Sequence, residues 1–534
     1  MGLPSAPVSS GRTETPATGE GATPPAAQPP RPWRERLRAW APELLFALLA
    51  LSTAVPLWLV ARPPLQDLPQ HVAAVQVMAH FGDESLRYAE TLQVELWRTQ
   101  YLAFYLVCIA LAWILPALTA VKVVLTASLV ATPYALRSLL RALRSDGWLA
   151  LLVLPLLWNA HLILGFLNFV AAIPLALAAI ALAVRIRTEG FTRKRAALLG
   201  VLALLCFYTH VVPFGLMMLG CFVVGLERDV RAMARYAIPF VPALLATLVW
   251  ALTSPAGQST LQAASLGEGE RAEPIYAPFS RSLAELPSWM LDVLPGDTDD
   301  RLFVVWVLLA GAALFWGRAR AAELPQHLRA RLVVVPLAAF GAYFVTPVAY
   351  DWIWPINARF PLLAAVFALA VLQPIGARVL RGVILGGAAL LTLVSVETVA
   401  TAALDFETET GELDEALAEI PQGSRVVGLI FDRHSAHVRF APYIHAAAWA
   451  QAARGGAAMF TFADFPQSPI RFRDDDRPPP VPPRWEWEPQ RVAPEQLAWY
   501  EYALIRGGPG RLARANGVEP VFRGPVWSVW KLPR

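Results

Sequence analysis

The chain has 534 residues, of which 56% are hydrophobic and 16% charged, and its mean hydropathy is +0.46. Average soluble domains carry about 25% charged residues, so this composition excludes an ordinary soluble globular protein. The net charge of +4 gives no reason to expect a nucleic-acid partner, and the three cysteines, all in apolar segments, exclude a disulfide framework or a cysteine-based metal site.

The N-terminal region divides into a polar tail and a first membrane segment. Residues 1–32 consist mainly of Ala, Pro, Thr, Gly and Ser, which predicts a disordered tail. A basic stretch at 31–38 leads into the apolar span 42–61. This span is longer and lies later in the chain than the apolar region of a cleaved signal peptide, so an uncleaved first helix with a cytoplasmic N-terminus is expected.

Windows of about 17–21 apolar residues recur after this span, each long enough to cross a bilayer as a helix. Between them lie arginine clusters at 137–144, 185–195, 228–235, 318–331 and 378–381. Because cytoplasmic loops collect Lys and Arg, these clusters predict an inner-membrane domain of about 11–13 transmembrane helices over residues 33–402. The extracytoplasmic turns are then expected at 62–98, near 161–168, near 210, at 254–301 and at 350–359.

In one part of this topology, the number of apolar segments disagrees with the number of crossings that the arginines allow. Segments 99–116 and 118–136 resemble two crossings, whereas the arginines allow an odd number. Either one segment is re-entrant or interfacial, or the 137–146 loop breaks the charge rule.

Residues 403–534 differ in composition from the rest and are rich in Pro, Gly and Asp. Strands are expected at 424–431, 502–505 and 526–532, and a helix at 444–454. The fold class predicted for the whole chain is therefore an α-helical polytopic membrane protein with a small extracytoplasmic α/β domain at its C-terminus.

The first outer loop contains the run PPLQDLPQH at 63–71, which places Asp67 and His71 one helical turn apart. Asp67 before Pro69 suits the N-cap of a helix, a role that contributes about 1 kcal/mol. Alternatively, a carboxylate beside a low-dielectric wall has a raised proton affinity and suits a general base. Both interpretations stay open at this point.

This motif, followed by many spans and an outer C-terminal domain, resembles the GT-C glycosyltransferases, and the PxxDxPxH pattern is similar to a first-loop motif of uncharacterised bacterial members. The resemblance implies a sugar donor linked to polyprenyl phosphate and a glycan, lipid or protein acceptor in a bilayer. It implies that Asp67, accompanied by His71, forms the catalytic pair with Asp67 as the base, or that the two bind a divalent metal ion. A transporter or flippase, or a non-catalytic assembly protein, are the alternatives.

The other outer turns carry further candidates for substrate binding. His161, Asn168 and His210 are polar groups at helix junctions, where they either bind substrate or hydrogen-bond between helices. Arg359 could hold a lipid phosphate, with Asp351 as its ion-pair partner, or extend to the lipid headgroups. Asp83 and Glu84 are backup acids. If these turns are functional, we expect them to converge on one cavity.

Overall fold

The computed structural model describes residues 33–264, 273–318, 324–351, 353–480, 485–508 and 520–533. The predicted disordered tail 1–32 lies outside the described residues. The chain divides into a unit Met1–Phe46 and a unit Ala47–Arg534, and the cavity and the C-terminal domain described below belong to the second unit.

The α-helices are α1 Trp33–Ser52, α2 Val55–Leu59, α3 Leu68–Ala79, α4 Tyr88–Thr91, α5 Leu102–Ala112, α6 Ala117–Ala142, α7 Ala160–Leu164, α8 Leu167–Glu189, α9 Arg193–Thr209, α10 Val211–Gly225, α11 Val230–Ala237, α12 Val241–Thr253, α13 Pro255–Ala264, α14 Phe279–Glu285, α15 Thr298–Trp316, α16 Leu324–Leu332, α17 Val334–Val345, α18 Arg359–Ala370, α19 Arg378–Thr410, α20 Leu413–Ala418, α21 Ala447–Arg454 and α22 Pro494–Leu497. The strands are β1 Leu92–Val94, β2 Arg425–Ile430, β3 Ala457–Ala458, β4 Ile470–Phe472, β5 Tyr502–Arg506, β6 Pro520–Arg523 and β7 Trp527–Lys531.

Within the described residues, five helical stretches are long and apolar enough to cross a membrane: Ala117–Ala142, Leu167–Glu189, Val230–Thr253, Leu324–Val345 and Arg378–Thr410. Shorter apolar helices accompany them. Large apolar side chains are exposed on Val230–Thr253, Leu324–Val345 and Arg378–Thr410, where lipid would cover them, whereas Leu167–Glu189 is largely buried among the other helices. The predicted α-helical polytopic membrane protein is confirmed.

Helix α5 lies in the segment whose number of crossings the arginines leave open, and it is short. It has 11 residues, which at 1.5 Å per residue rise about 16 Å, or about half of the hydrocarbon thickness of a bilayer. Helix α6, with 26 residues, is long enough to cross. Residues 99–136 therefore contain one helix of spanning length and one short helix that packs against α3, α6 and α9.

The C-terminal domain is built on a five-stranded sheet in the order β3-β2-β5-β7-β6. Strands β2 and β5 are parallel, whereas β7 is antiparallel to both of its neighbours. The predicted strands match β2, β5 and β7, and the predicted helix matches α21, so the small α/β domain is confirmed. Helix α19 continues to Thr410, beyond the predicted domain start at residue 403.

The first outer loop and the C-terminal domain are interlocked. Strand β1 of the loop pairs antiparallel with β4 of the domain. The Gly456 amide donates to the Leu86 carbonyl at 2.7 Å, and the Tyr88 hydroxyl donates to the Gln451 carbonyl at 3.0 Å. Helix α3 packs against α21 on one side and against α5 and α6 on another. These contacts hold the start of α3 close to the start of α21.

Candidate active site

A tight turn between α7 and α8 fixes the backbone of Asp67. Asn159 caps α7 through its Oδ1, and Gly165 ends the helix with a φ of +85°. The carbonyl of Leu164 accepts a hydrogen bond from the Asp67 amide at 3.2 Å. A Cβ at Gly165 would lie 2.6 Å from the Asp67 nitrogen. This position therefore requires glycine both for its left-handed conformation and for the close approach.

Asp67 stands at the N-cap position of α3, but its side chain accepts no hydrogen bond from the helix amides. Its Oδ1 instead lies 3.3 Å from Nε2 of His445, which precedes α21 by two residues. The interpretation of the side chain as a helix cap is therefore wrong. The carboxylate is available for a contact with the C-terminal domain and with the cavity beside it.

His71 is held by the protein on both sides of its ring. Its Nε2 donates to the Gly165 carbonyl at 2.9 Å, since that oxygen can only accept, and its Nδ1 accepts from the Tyr105 hydroxyl at 2.8 Å. Burial lowers the pKa of His71 to about 4, against the opposing effects of the Asp67 charge and the bond to Gly165. His71 is therefore neutral near pH 7.

The predicted metal pair does not fit this geometry. Both nitrogens of His71 are already bonded, so neither is free to bind a metal ion. Among the described residues, no group of three or more His, Cys, Asp or Glu side chains is placed to hold one. We therefore derive no step through a metal ion.

A cavity of about 170 Å³ opens beside Asp67. The first loop, the α7–α8 and α9–α10 turns, the loop before α18 and the C-terminal domain all contribute to its walls. The lining residues are Asp67, His71, Tyr101, Tyr105, Phe166, Leu167, Asn168, Phe169, His210, Ile353, Trp354, Arg359, Phe462, Phe465, Gln467, Ser468 and Pro469. The structure thus brings together five of the residues singled out in the sequence.

His161 belongs to the same region but does not line the cavity. It is fully buried and stacks on Phe166 and Trp289, with Phe169 edge-on to its ring. His210, by contrast, lines the cavity and uses its Nδ1 to accept the Val212 amide at the start of α10.

Arg359 is the only arginine or lysine among the described lining residues. Its guanidinium lies 4.9 Å from the centre of the Phe166 ring and donates through Nη1 to the Pro355 carbonyl, while its buried Nε has no hydrogen-bond partner in the described part of the chain. Asp351 is exposed and does not line the cavity; within the described residues no ion pair joins it to Arg359.

The two backup acids lie away from the cavity. Asp83 and Glu84 are both exposed. The Asp83 carboxylate accepts the Ser85 amide at 3.0 Å and caps the short 3₁₀ turn Glu84–Leu86. Asp83 therefore stabilises a short turn outside the cavity.

Sequence reasoning missed the contribution of the C-terminal domain. Nε2 of His445 lies 3.3 Å from Oδ1 of Asp67, and Nδ1 of the same ring lies 3.9 Å from Oε2 of Glu486. Burial opposes protonation of His445, but the hydrogen bond to Asp67 and the charges of Glu486 and Asp67 raise its pKa overall. Phe462 and Phe465, from the loop between β3 and β4, cover the cavity. The only sequence signal was one histidine in an otherwise apolar run, IHAAAW at 444–449.

No family model and no curated protein matches the chain, but solved structures do. The crystal structure of ArnT from Cupriavidus metallidurans in the apo state aligns over 93% of this chain and 98% of that chain, with a TM-score of 0.56 and 13% identity. A cryo-EM structure of a mutant of the arabinofuranosyltransferase AftD from Mycobacteria aligns over 93% of this chain and 42% of that chain, with a TM-score of 0.49 and 14% identity. ArnT is a membrane glycosyltransferase of the GT-C superfamily. The likeness to ArnT confirms the GT-C-like fold expected from the sequence.

Proposed function

We propose that this chain, which has the GT-C-like fold of ArnT, is a membrane glycosyltransferase that uses a polyprenyl-phosphate-linked sugar. The acceptor is a hydroxyl of a glycan, lipid or protein on the extracytoplasmic side. One observation carries the proposal. The Asp67 carboxylate, which caps no helix, and the Arg359 guanidinium line the same cavity.

Asp67 is the general base in this proposal. One of its oxygens faces His445, which leaves the other for the hydroxyl of the acceptor. A carboxylate can take a proton when it lies within hydrogen-bond reach of the reacting hydroxyl, and such assistance contributes about 10²–10⁴-fold to the rate.

Arg359 binds the phosphate of the donor. A guanidinium is always charged and presents several N–H donors in a plane, which matches two phosphate oxygens. The unpartnered Nε supports this role, because a buried donor without a partner is costly unless a ligand satisfies it. The Oδ1 of Asn168 also lacks a partner in the described part of the chain and can accept a sugar hydroxyl.

The transfer is a single displacement. The acceptor oxygen forms a bond to the anomeric carbon as its proton passes to Asp67. The bond between the anomeric carbon and the phosphate oxygen breaks, and its electron pair leaves with the phosphate, whose charge Arg359 neutralises. Attack opposite the leaving group inverts the anomeric centre.

The position of the cavity supports a transferase over a transporter. Many transporters bind their substrate near the membrane midplane, at the interface of two similar halves. Here the cavity lies at the ends of helices, against loop 462–469 of the C-terminal domain.

The experiment is the Asp67→Asn variant, purified in detergent or nanodiscs and assayed for release of polyprenyl phosphate from a panel of polyprenyl-phosphate sugars. We expect a loss of about 10²–10⁴-fold in kcat, because an amide cannot take the proton. The matched control is Asp405→Asn, an exposed aspartate paired with His437 outside the cavity. Wild-type rates in Asp67→Asn would remove Asp67 as the base, and a folded wild-type protein that turns over no donor in the panel would count against the transferase.

A further inference from the structure

The contact between Asp67 and His445 joins the two parts of the chain that form the cavity. His445 is largely buried, with 11% of its side chain exposed, and Asp67 is 17% exposed. Oδ1 of Asp67 and Nε2 of His445 are 3.3 Å apart. On the other side of the ring, Oε2 of Glu486 lies 3.9 Å from Nδ1. The imidazole therefore lies between two carboxylates.

This arrangement favours the imidazolium form of His445. A protonated ring has an N–H on each nitrogen and can point one at each carboxylate, whereas a neutral ring can serve only one of them. The charges of Glu486 and Arg477 both act on the carboxyl group of Asp464. His71, on the other side of Asp67, is held by Tyr105 and Gly165 and makes no such pair.

His445 and Glu486 do not line the cavity, so neither meets the substrate. Resting on the function proposed above, we infer that His445 is a positioning residue: as an imidazolium held between Asp67 and Glu486, it keeps the Asp67 carboxylate ionised and turns its second oxygen toward the acceptor. The C-terminal domain would then be part of the catalytic apparatus and not only a cover for the acceptor side.

A positive charge beside an aspartate lowers the pH at which that aspartate ionises by about 1–3 pH units. Replacing His445 removes the positive charge that lies between the carboxylates of Asp67 and Glu486. The acidic limb of the pH–rate profile reports this ionisation, because only the carboxylate can act as the base.

The test compares kcat/KM against pH for the wild type and for His445→Gln. We expect the acidic limb to move up by about 1–2 pH units in His445→Gln. The matched control is His437→Gln, since His437 also pairs with an aspartate, Asp405, at 3.7 Å, but outside the cavity; its profile should equal that of the wild type. An unshifted acidic limb in a folded His445→Gln would overturn the inference.

A double variant separates positioning from a general structural effect. If His445 acts through Asp67, then His445→Gln should cause no further loss of activity in an Asp67→Asn background. An equal loss in both backgrounds would contradict the inference and leave the proposed function standing. A fully active Asp67→Asn would contradict the proposed function itself.

A measurement that leaves His445 in place covers the case in which His445→Gln does not fold. In ¹⁵N-histidine NMR spectra, the His445 ring should lose its proton at a higher pH in the wild type than in Asp67→Asn. Identical titration of His445 in both proteins would show that the two side chains are not coupled, and the inference would fail.

Discussion

The wall of the cavity that comes from the membrane domain differs in character from the wall that comes from the C-terminal domain. The membrane wall, defined here as Asp67, Asn168, His210 and Arg359, contains both charged residues of the described lining, and atoms of Asn168 and Arg359 lack partners within the described residues. The C-terminal wall, residues 462–469, lines the cavity with Phe462, Phe465, Gln467, Ser468 and Pro469 and contributes no charged side chain to the described lining.

The charged groups behind the two walls differ as well. His445 and Glu486 carry charge close to the site but lie behind its surface. The two walls therefore differ in the role that we propose for them. In the proposed mechanism, the membrane wall supplies the groups that contact the donor and acceptor, and the C-terminal domain lines one side of the cavity and holds His445 beside Asp67.

Among the variants that test this comparison, the largest effect should follow from removing the cation of the membrane wall. In Arg359→Ala the leaving phosphate loses its only arginine or lysine partner among the described lining residues. We expect kcat/KM to fall by about 10²–10³-fold, as when one preorganised donor is removed from a charged transition state. Binding of polyprenyl phosphate, measured by calorimetry in detergent, should weaken in parallel.

Two further variants test whether the loss of activity arises from the lost contact between Arg359 and the phosphate. Arg301→Ala removes an exposed arginine of α15, with 81% of its side chain exposed, and should bind and react like the wild type. Arg359→Lys keeps the charge but loses the planar pair of donors, so it should recover only part of the activity. If folded Arg359→Ala bound polyprenyl phosphate as tightly as the wild type, Arg359 would not be the phosphate ligand. The proposed difference in role between the two walls would then be wrong.

A smaller effect should follow from disturbing the turn under Asp67. Gly165→Ala places a Cβ against the Asp67 backbone and forces alanine into a φ of +85°. We expect a loss of stability of about 1–3 kcal/mol and a loss of activity of about 10–100-fold, because misplacement of a catalytic group by about 1 Å has effects of that size. Thermal unfolding and kcat/KM measure the two parts.

The matched control is Gly82→Ala in the same loop, where an added Cβ would meet no atom within 4 Å. This variant should keep both its stability and its activity. If Gly165→Ala lost stability but kept full activity, the turn would support the fold without positioning the base.

Much of the membrane wall could be predicted from the sequence. The arginine clusters assign the turns that carry Asp67, Asn168, His210 and Arg359 to one side of the membrane, and the structure places these four residues around one cavity. Charge patterning and apolar span lengths are local properties of the chain, so the sequence alone is enough to make this prediction.

The partner of Asp67 could not be predicted in this way. His71 follows Asp67 by four residues, but Asp67 lies outside the helical turns of α3, and Tyr105 and Gly165 already occupy the ring of His71. The actual partner, His445, reaches Asp67 only because the first loop and the C-terminal domain fold together through β1 and β4. A contact of that kind depends on tertiary packing, which no local pattern encodes.

The smallest effect on activity should come from His71, although it also adjoins Asp67. The pKa of His71 is lowered to about 4 from 6.5, so the unfolded chain binds more protons at this position between these two values. The free energy of unfolding should therefore be highest above pH 6.5 and fall by about 3 kcal/mol as the pH drops toward 4. His71→Gln removes this contribution, and the difference in thermal stability between the variant and the wild type should change across that window.

His80→Gln, at the C-cap of the same helix, is the control and should leave the pH dependence of stability as in the wild type. In the folded His71→Gln protein, the acidic limb of kcat/KM should stay where it is in the wild type, because a neutral His71 contributes no charge to Asp67 near pH 7. A shift as large as that expected for His445→Gln would mean that the two histidines share the same role. His71 of the first loop would then act on Asp67 as strongly as His445 of the C-terminal domain.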